Sequence, residues 1–249
     1  MSKIIVIVGP TGVGKTKLSI SLAKLLDGEI INGDSVQIYK KLNIGTAKIK
    51  EEEQENIPHH LIDYLELEED FTVYDYQKLG RRIIKDIIAR KKVPIIVGGT
   101  GLYIKALLYD YQFKKDNKRG NHLLYDVLFI GLTLEREKLY QIINKRVEKM
   151  IQEGLIKEGE ELYQTNKKSK MLNTVIGYKE LFKYFNKEIE LEEAINLIKK
   201  NSRHYAKRQY TWFNNQMEVQ WFKVNLDDFS KTIEEVITYI NNSLDSFGC

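Results

Sequence analysis

Gly9-Pro10-Thr11-Gly12-Val13-Gly14-Lys15-Thr16 follows directly on the apolar run Ile4-Ile5-Val6-Ile7-Val8 and leads into a stretch of helical period. The eight residues satisfy G-x-x-x-x-G-K-[ST], and a strand before and a helix after are the setting this pattern requires. Its glycines let backbone N–H groups converge on phosphate oxygens. The helix N-terminus adds positive potential, Lys15 adds a point charge, and the Thr16 hydroxyl can hold Mg²⁺. The loop therefore suits a di- or triphosphate and leaves open which one.

Outward from the loop, short β-branched runs at 3–8, 29–32, 93–97, 127–133 and 219–224 read as strands. Several are apolar at consecutive positions, as expected of strands covered on both faces, so the fold class is α/β: a parallel sheet flanked by helices. Helical patterns occupy 15–26, 74–90, 135–151, 176–185, 191–213 and 230–243, with Leu139, Ile143, Val147 and Met150 on one face of the third. At 249 residues the chain accommodates one such domain plus a C-terminal helical portion. The composition, 43% hydrophobic and 30% charged, excludes disordered and fibrous classes. The single cysteine, Cys249, leaves no intrachain disulfide and no cysteine-based metal site, and no apolar stretch is long enough for a membrane span. A cytoplasmic protein with no membrane partner is expected.

One composition break stands out at 109–126, rich in Lys114, Lys115, Lys118, Arg119, Gly120 and Asn121. It reads as a surface loop or the stub of an insertion, dividing the chain into a core at 1–108, the short connection, and a remainder at 127–249. Nucleotide hydrolases carry an acid at the end of a second strand. The strands at 93–97 and 127–133 end without one, whereas Glu29-Ile30-Ile31-Asn32-Gly33-Asp34 places Asp34 on the edge of the phosphate loop. Asp34 there can be a Mg²⁺ ligand, a general base or a turn-forming residue. Gly98-Gly99-Thr100 emerges on the same edge, where absent side chains would let a substrate approach the backbone.

From Ala194 to Met217 there is no acid, while Lys199, Lys200, Arg203, Lys207 and Arg208 contribute +5, more than the whole net charge of +4. On a helix, Lys200, Arg203, His204 and Lys207 share one face, with Ile195, Ile198, Tyr205, Ala206, Gln209 and Phe213 opposite. An anionic partner, polyphosphate or nucleic-acid backbone, is expected. His59-His60 with Asp63 has no metal-ligand spacing and reads as a loop after Pro58. Trp212 and Trp221 read as core residues.

Several blocks together resemble one family, the tRNA dimethylallyltransferases: GPTGVGKT (9–16), GDSVQIYKKLNIGTAK (33–48), IPHHLID (57–63), VPIIVGGTGLYIKALL (93–108), LYQIINKRVEKMIQEGLIKE (139–158), IGYKE (176–180) and RHYAKRQYTWF (203–213). The resemblance implies a P-loop NTPase-like fold and transfer of a dimethylallyl group from dimethylallyl diphosphate to N6 of the adenosine 3′ of the anticodon. The phosphate loop, Gly9, Pro10, Thr11, Gly12, Val13, Gly14, Lys15 and Thr16, would hold the diphosphate. Asp34 would accept the N6 proton, with Thr11 and Thr100 completing the catalytic set and Thr16 holding Mg²⁺. Asp34, Ser35, Val36, Gln37 and Thr100 would meet the tRNA anticodon stem-loop, Arg203, Lys207 and Arg208 would bind pyrophosphate or the tRNA backbone, and the chain would act as a monomer. Family members carry a helical tRNA-gripping insertion after the segment matching 93–108, and this sequence has only the short polar connection. An adenylate dimethylallyltransferase acting on AMP, a small-molecule P-loop kinase, and a protein that binds without turnover are the other readings.

Overall fold

A computed structural model describes residues 3–113, 122–166 and 168–245. Six strands form one sheet: β1 (Ile4–Val8), β2 (Gly28–Asn32), β3 (His59–His60), β4 (Val93–Val97), β5 (Val127–Thr133) and β6 (Gln220–Lys223), in the order β3-β2-β4-β1-β5-β6. Every pairing is parallel, as the continuous apolar runs required. In the central strand β1, Ile4, Val6 and Val8 pack into one core and Ile5 and Ile7 into the other, the alternation that a pleated strand imposes.

Among the described residues the helices are α1 (Lys15–Leu26), α2 (Val73–Ala89), α3 (Gly101–Leu108), α4 (Arg136–Glu153), α5 (Leu155–Asn166), α6 (Tyr178–Phe185), α7 (Leu191–Gln216) and α8 (Phe229–Asp245). Helices α1 and α8 cover the Ile5 face, while α2 and α3 cover the other, where α5, α6 and α7 add a helical layer. Helix α4 joins the two cores, with Leu139 and Ile143 in one and Val147 and Met150 in the other. Residues on both sides of the 109–126 connection thus build a single sheet.

Three elements differ from the sequence reading. His59-His60 is not a loop but the edge strand β3, paired with Ile30 and Ile31. Two residues are too few to display a period, and the strand is fixed by its partner and by His60 Nε2 on the buried Glu29 carboxylate at 2.7 Å. Helix α3 was hidden because GLYIKALL is apolar almost all round and Tyr103 to Leu108 are all buried. Helix α5 was masked by Gly154 before it and Gly159 within it; a Cβ at Gly159 would meet Leu181 at 2.7 Å, so close packing outweighs the propensity loss of ~1 kcal/mol.

The 109–126 connection begins and ends as a short antiparallel pair. Tyr109 bridges Leu123, Asp110 N donates to His122 O at 3.0 Å and Leu124 N to Leu108 O at 2.9 Å. Arg81 of α2 donates to the carbonyls of Ala106, Leu107 and Tyr109, and the Gln77 amide to those of Ala106 and Tyr111. Lys114, Lys115, Lys118, Arg119, Gly120 and Asn121 lie outside the described residues.

Candidate active site

The carboxyl ends of β1, β2 and β4 open into a cavity of about 650 Å³, bounded by the phosphate loop, the turn after β2, residues 45–47, α4, residues 174–179 and α7. Thr11, Gly12, Gly14, Lys15 and Thr16 line it, whereas Val13 is buried in the core. Gly14 passes the chain into α1 at φ +93°, and a Cβ there would meet the Phe229 ring at 2.6 Å, so only glycine fits. Lys15 Nζ donates to the carbonyls of Gly9 (2.9 Å) and Pro10 (2.8 Å). Burial, then repulsion from Arg146, lowers the Lys15 ammonium to about 7 against the pull of Asp34. The hydroxyls of Thr11 and Thr16 have no hydrogen-bond partner among the described residues.

Asp34 stands where the strand reading placed it. Asn32 clamps the turn: its Oδ1 accepts from Asp34 N at 3.0 Å and its Nδ2 donates to the carbonyls of Asp34 (3.0 Å) and Leu61 (2.9 Å). Asp34 Oδ1 in turn accepts from Val36 N at 2.9 Å and Gln37 N at 3.4 Å. Its Oδ2 has no hydrogen-bond partner among the described residues. The turn-forming and chemical readings of Asp34 are therefore compatible, one oxygen serving each. Ser35, Val36 and Gln37 line the same cavity.

Thr100 departs from expectation. Its hydroxyl accepts from Ser35 N at 3.0 Å, lies 3.2 Å from Ser35 Oγ and hydrogen-bonds Tyr205, and the residue does not line the cavity. Gly98 and Gly99 line the cavity, as expected, and packing also requires them to be small: a Cβ at Gly98 would meet the Gly33 backbone at 2.2 Å and one at Gly99 the Gln209 amide nitrogen at 1.9 Å. Gln209 ties three elements together, accepting from Thr11 N at 3.0 Å and donating to Gly99 O at 3.3 Å.

Helix α7 divides the expected basic trio. Arg208 lines the cavity, its guanidinium 5.7 Å from the centre of the Tyr205 ring. Arg203 lies outside it, donating to Asn144 Oδ1 at 2.6 Å, and Lys207 is exposed and also outside. The apolar side follows the helical spacing, with Ile198, Ala206, Gln209 and Phe213 buried. Trp212 and Trp221 are half-buried and pack against the core.

The structure adds residues that sequence reasoning missed. Arg146 faces the cavity beside Lys15, and burial pushes its guanidinium below its ordinary value while Asp34 pulls it back. Its signal was a cation three residues from Ile143, next to the apolar stripe of α4. Burial likewise raises the Tyr205 phenol to about 12. Gln209 was visible as a polar residue on the apolar side of α7. Ile142, Val147, Met150, Leu155, Val175 and Ile198 supply an apolar part of the cavity lining. Among the described residues no group of three or more His, Asp or Glu could hold a metal. A divalent ion would be carried by phosphate oxygens with the free Thr16 hydroxyl, a donor set that suits Mg²⁺. No helix among the described residues is long and apolar enough to cross a membrane.

Comparison with known proteins matches the IPP transferase family model in two segments, 37–124 and 112–216. A tRNA dimethylallyltransferase of Anoxybacillus flavithermus is 45% identical, covering 96% of each chain. The full-length tRNA isopentenylpyrophosphate transferase of Bacillus halodurans superposes with a TM-score of 0.90 at 39% identity, covering 99% of this chain and 98% of that one. A eukaryotic dimethylallyltransferase acting on tRNA gives 0.89 at 26% identity, covering 99% of this chain and 80% of that one. The Anoxybacillus match runs over 300 positions, to which 96% of the 249 residues here contribute, so about sixty positions are occupied only in the relative. The two family-model segments meet at 112–124, within the short connection.

Proposed function

The chain belongs to the IPP transferase family, and from that premise we propose that this cavity transfers a dimethylallyl group from dimethylallyl diphosphate to N6 of adenosine 37, just 3′ of a tRNA anticodon. The observation that carries the proposal is the make-up of the cavity: a diphosphate cradle, a carboxylate oxygen without a partner and an apolar wall, side by side. The loop N–H groups, Lys15, Arg146 and Arg208 receive the diphosphate, and the apolar wall receives the five-carbon chain. The N6 lone pair attacks C1 of the allyl group, the C1–O bond breaks, and its electrons leave with the diphosphate. Asp34 Oδ2 takes the N6 proton as general base. Positive charge held at the leaving diphosphate, with a hydroxyl donor from Thr11, stabilises the transition state. Mg²⁺, when bound, adds charge neutralisation there, and Thr16 would hold it.

The adenine leaves its stack to reach the carboxylate, as base-modifying enzymes require. Ser35, Val36 and Gln37 contact it, and Thr100 fixes Ser35 from behind. Arg203 and Lys207, outside the cavity, meet backbone phosphates of the anticodon stem-loop. With about sixty positions occupied only in the relative and only a short connection at 109–126, more of the RNA grip falls on this helix. The same reading makes the protein a cytoplasmic enzyme working as a monomer. The test supplies labelled dimethylallyl diphosphate and Mg²⁺ with unmodified tRNA, its anticodon stem-loop, or AMP. Label at position 37 of the tRNA supports the proposal. Label in AMP alone, or in no acceptor, overturns it.

A further inference from the structure

The wall of the cavity formed by residues 45–47 has no regular secondary structure, yet its backbone is held at unusually many points. Glu158, in the first turn of α5, accepts from three consecutive backbone N–H groups: Asn43 at 3.1 Å, Ile44 at 2.9 Å and Gly45 at 2.9 Å. The Tyr178 hydroxyl donates to the same carboxylate at 2.7 Å. Successive N–H groups converging in this way make an anion-binding concavity, here filled from within the chain. Gly45 lies against the Tyr178 ring, where a Cβ would come within 2.6 Å of Cζ. At the other end of the loop, the buried Lys48 ammonium donates to Asn43 Oδ1 and Tyr39 O.

The anchored segment reaches the base-binding turn through one hydrogen bond, from Gln37 Nε2 to Thr46 O at 3.0 Å. A carbonyl can only accept, so the Gln37 amide must offer it the nitrogen, which leaves Gln37 Oε1 as the free end of a cavity-lining side chain. We propose that Glu158 is a positioning residue for nucleobase recognition: its charge fixes the 43–46 backbone, which fixes Gln37 as a hydrogen-bond acceptor toward the base. The proposal rests on the transferase reading for the identity of the base. A carboxylate suits the task because it has acceptor capacity for all four donors. A glutamine has one acceptor oxygen, and its NH₂ would face an N–H or O–H.

The test compares wild type, Glu158→Gln and Tyr178→Phe. Label transfer from dimethylallyl diphosphate to the stem-loop gives kcat and KM, direct titration gives the donor Kd, and hydrogen exchange follows residues 43–45. Glu158→Gln is expected to raise the RNA KM at least tenfold, with kcat and donor Kd within threefold. It should also speed exchange at 43–45 at least tenfold while leaving β1 unchanged. Tyr178→Phe, which keeps the carboxylate and its three N–H partners, should change the RNA KM less than threefold. An unchanged RNA KM in Glu158→Gln overturns the proposal. So does a joint fall of kcat, donor affinity and melting temperature, which marks a merely structural residue. If wild type transfers no label, the transferase reading fails instead, and exchange at 43–45 alone decides the anchoring: unchanged exchange in Glu158→Gln overturns it.

Discussion

Binding of the diphosphate donor should draw a proton into the protein, and Lys15 should be where it goes. In the free protein the Lys15 ammonium is lowered to about 7 by burial and by Arg146. At pH 8 only about one lysine in ten is then charged. A bound polyanion restores the group toward its ordinary value near 10.4, so binding completes its protonation. The uptake from this residue is about 0.9 proton per site at pH 8, about 0.5 at pH 7 and about 0.1 at pH 6. The sign is that of a base whose free-state value is depressed: affinity is unaffected below pH 6 and falls about tenfold per unit above pH 7, or ~1.4 kcal/mol. Calorimetric titration with dimethylallyl diphosphate, in buffers of equal pH and different ionisation enthalpy, reads the uptake as a slope. Titration of Lys15→Met under the same conditions removes the contribution of the ligand's own phosphate groups. Equal slopes for wild type and Lys15→Met at pH 8 would refute the reasoning.

Arg146→Gln should weaken donor binding by roughly tenfold or more, since a charge-assisted bond to phosphate is worth ~1.5–3 kcal/mol, and should shrink the proton uptake because Lys15 loses its neighbouring cation; an unchanged uptake contradicts this. Asp34→Asn should abolish label transfer while donor titration stays within a few-fold of wild type, and loss of donor binding would reassign Asp34 to ligand or metal holding. Combined replacement of Arg203 and Lys207 by Ala should reduce the slope of log affinity for the stem-loop against log salt by about one to two, and an identical slope removes both from the RNA contact. The buried Glu29 carboxylate is held at about 2, chiefly by the Arg90 guanidinium; this contributes stability present above pH ~4.5 and lost as pH falls toward 2, of about 1–3 kcal/mol once the partial exposure of Arg90 is allowed for. Arg90→Ala should therefore lower the melting temperature at pH 7 and converge on wild type near pH 2, whereas a constant difference across that range would exclude the pair.

The sheet was legible because its strands are buried on both faces, and a run such as Ile4-Ile5-Val6-Ile7-Val8 admits few other readings. Asp34 was legible for a positional reason: it stands two residues past the end of β2, on the sheet edge from which the phosphate loop emerges. Long-range packing was not legible. Gly98 and Gly99 read as an opening for substrate, and they do line the cavity, but only the fold shows the Gly33 backbone and the Gln209 amide packed against them. Thr100 could not be seen to serve Ser35, sixty-five positions away in the chain. Helix α7 announced its charge but not its orientation, so Arg208 and Lys207, adjacent in sequence, could not be separated into cavity and exterior. Arg146 was not legible because cations beside an apolar stripe, here Lys145-Arg146, are common on helices that cover a core.

The paired ends at Tyr109 and Leu123 make the connection between them a point of modularity. Whatever lies there leaves and re-enters the fold through two neighbouring backbones, the outgoing one gripped by Arg81 and Gln77 and the returning one paired to it at Leu124 and His122. Lengthening it by some sixty residues raises the closure entropy by only about 1.5 kcal/mol even if the added chain is unstructured. Within such a family the appendage can be gained, trimmed or exchanged as an independent trait, with the sheet carrying the chemistry unchanged. The same junction is a natural port for grafting a foreign RNA-binding module, whose choice of RNA would then be set separately from the reaction performed on it.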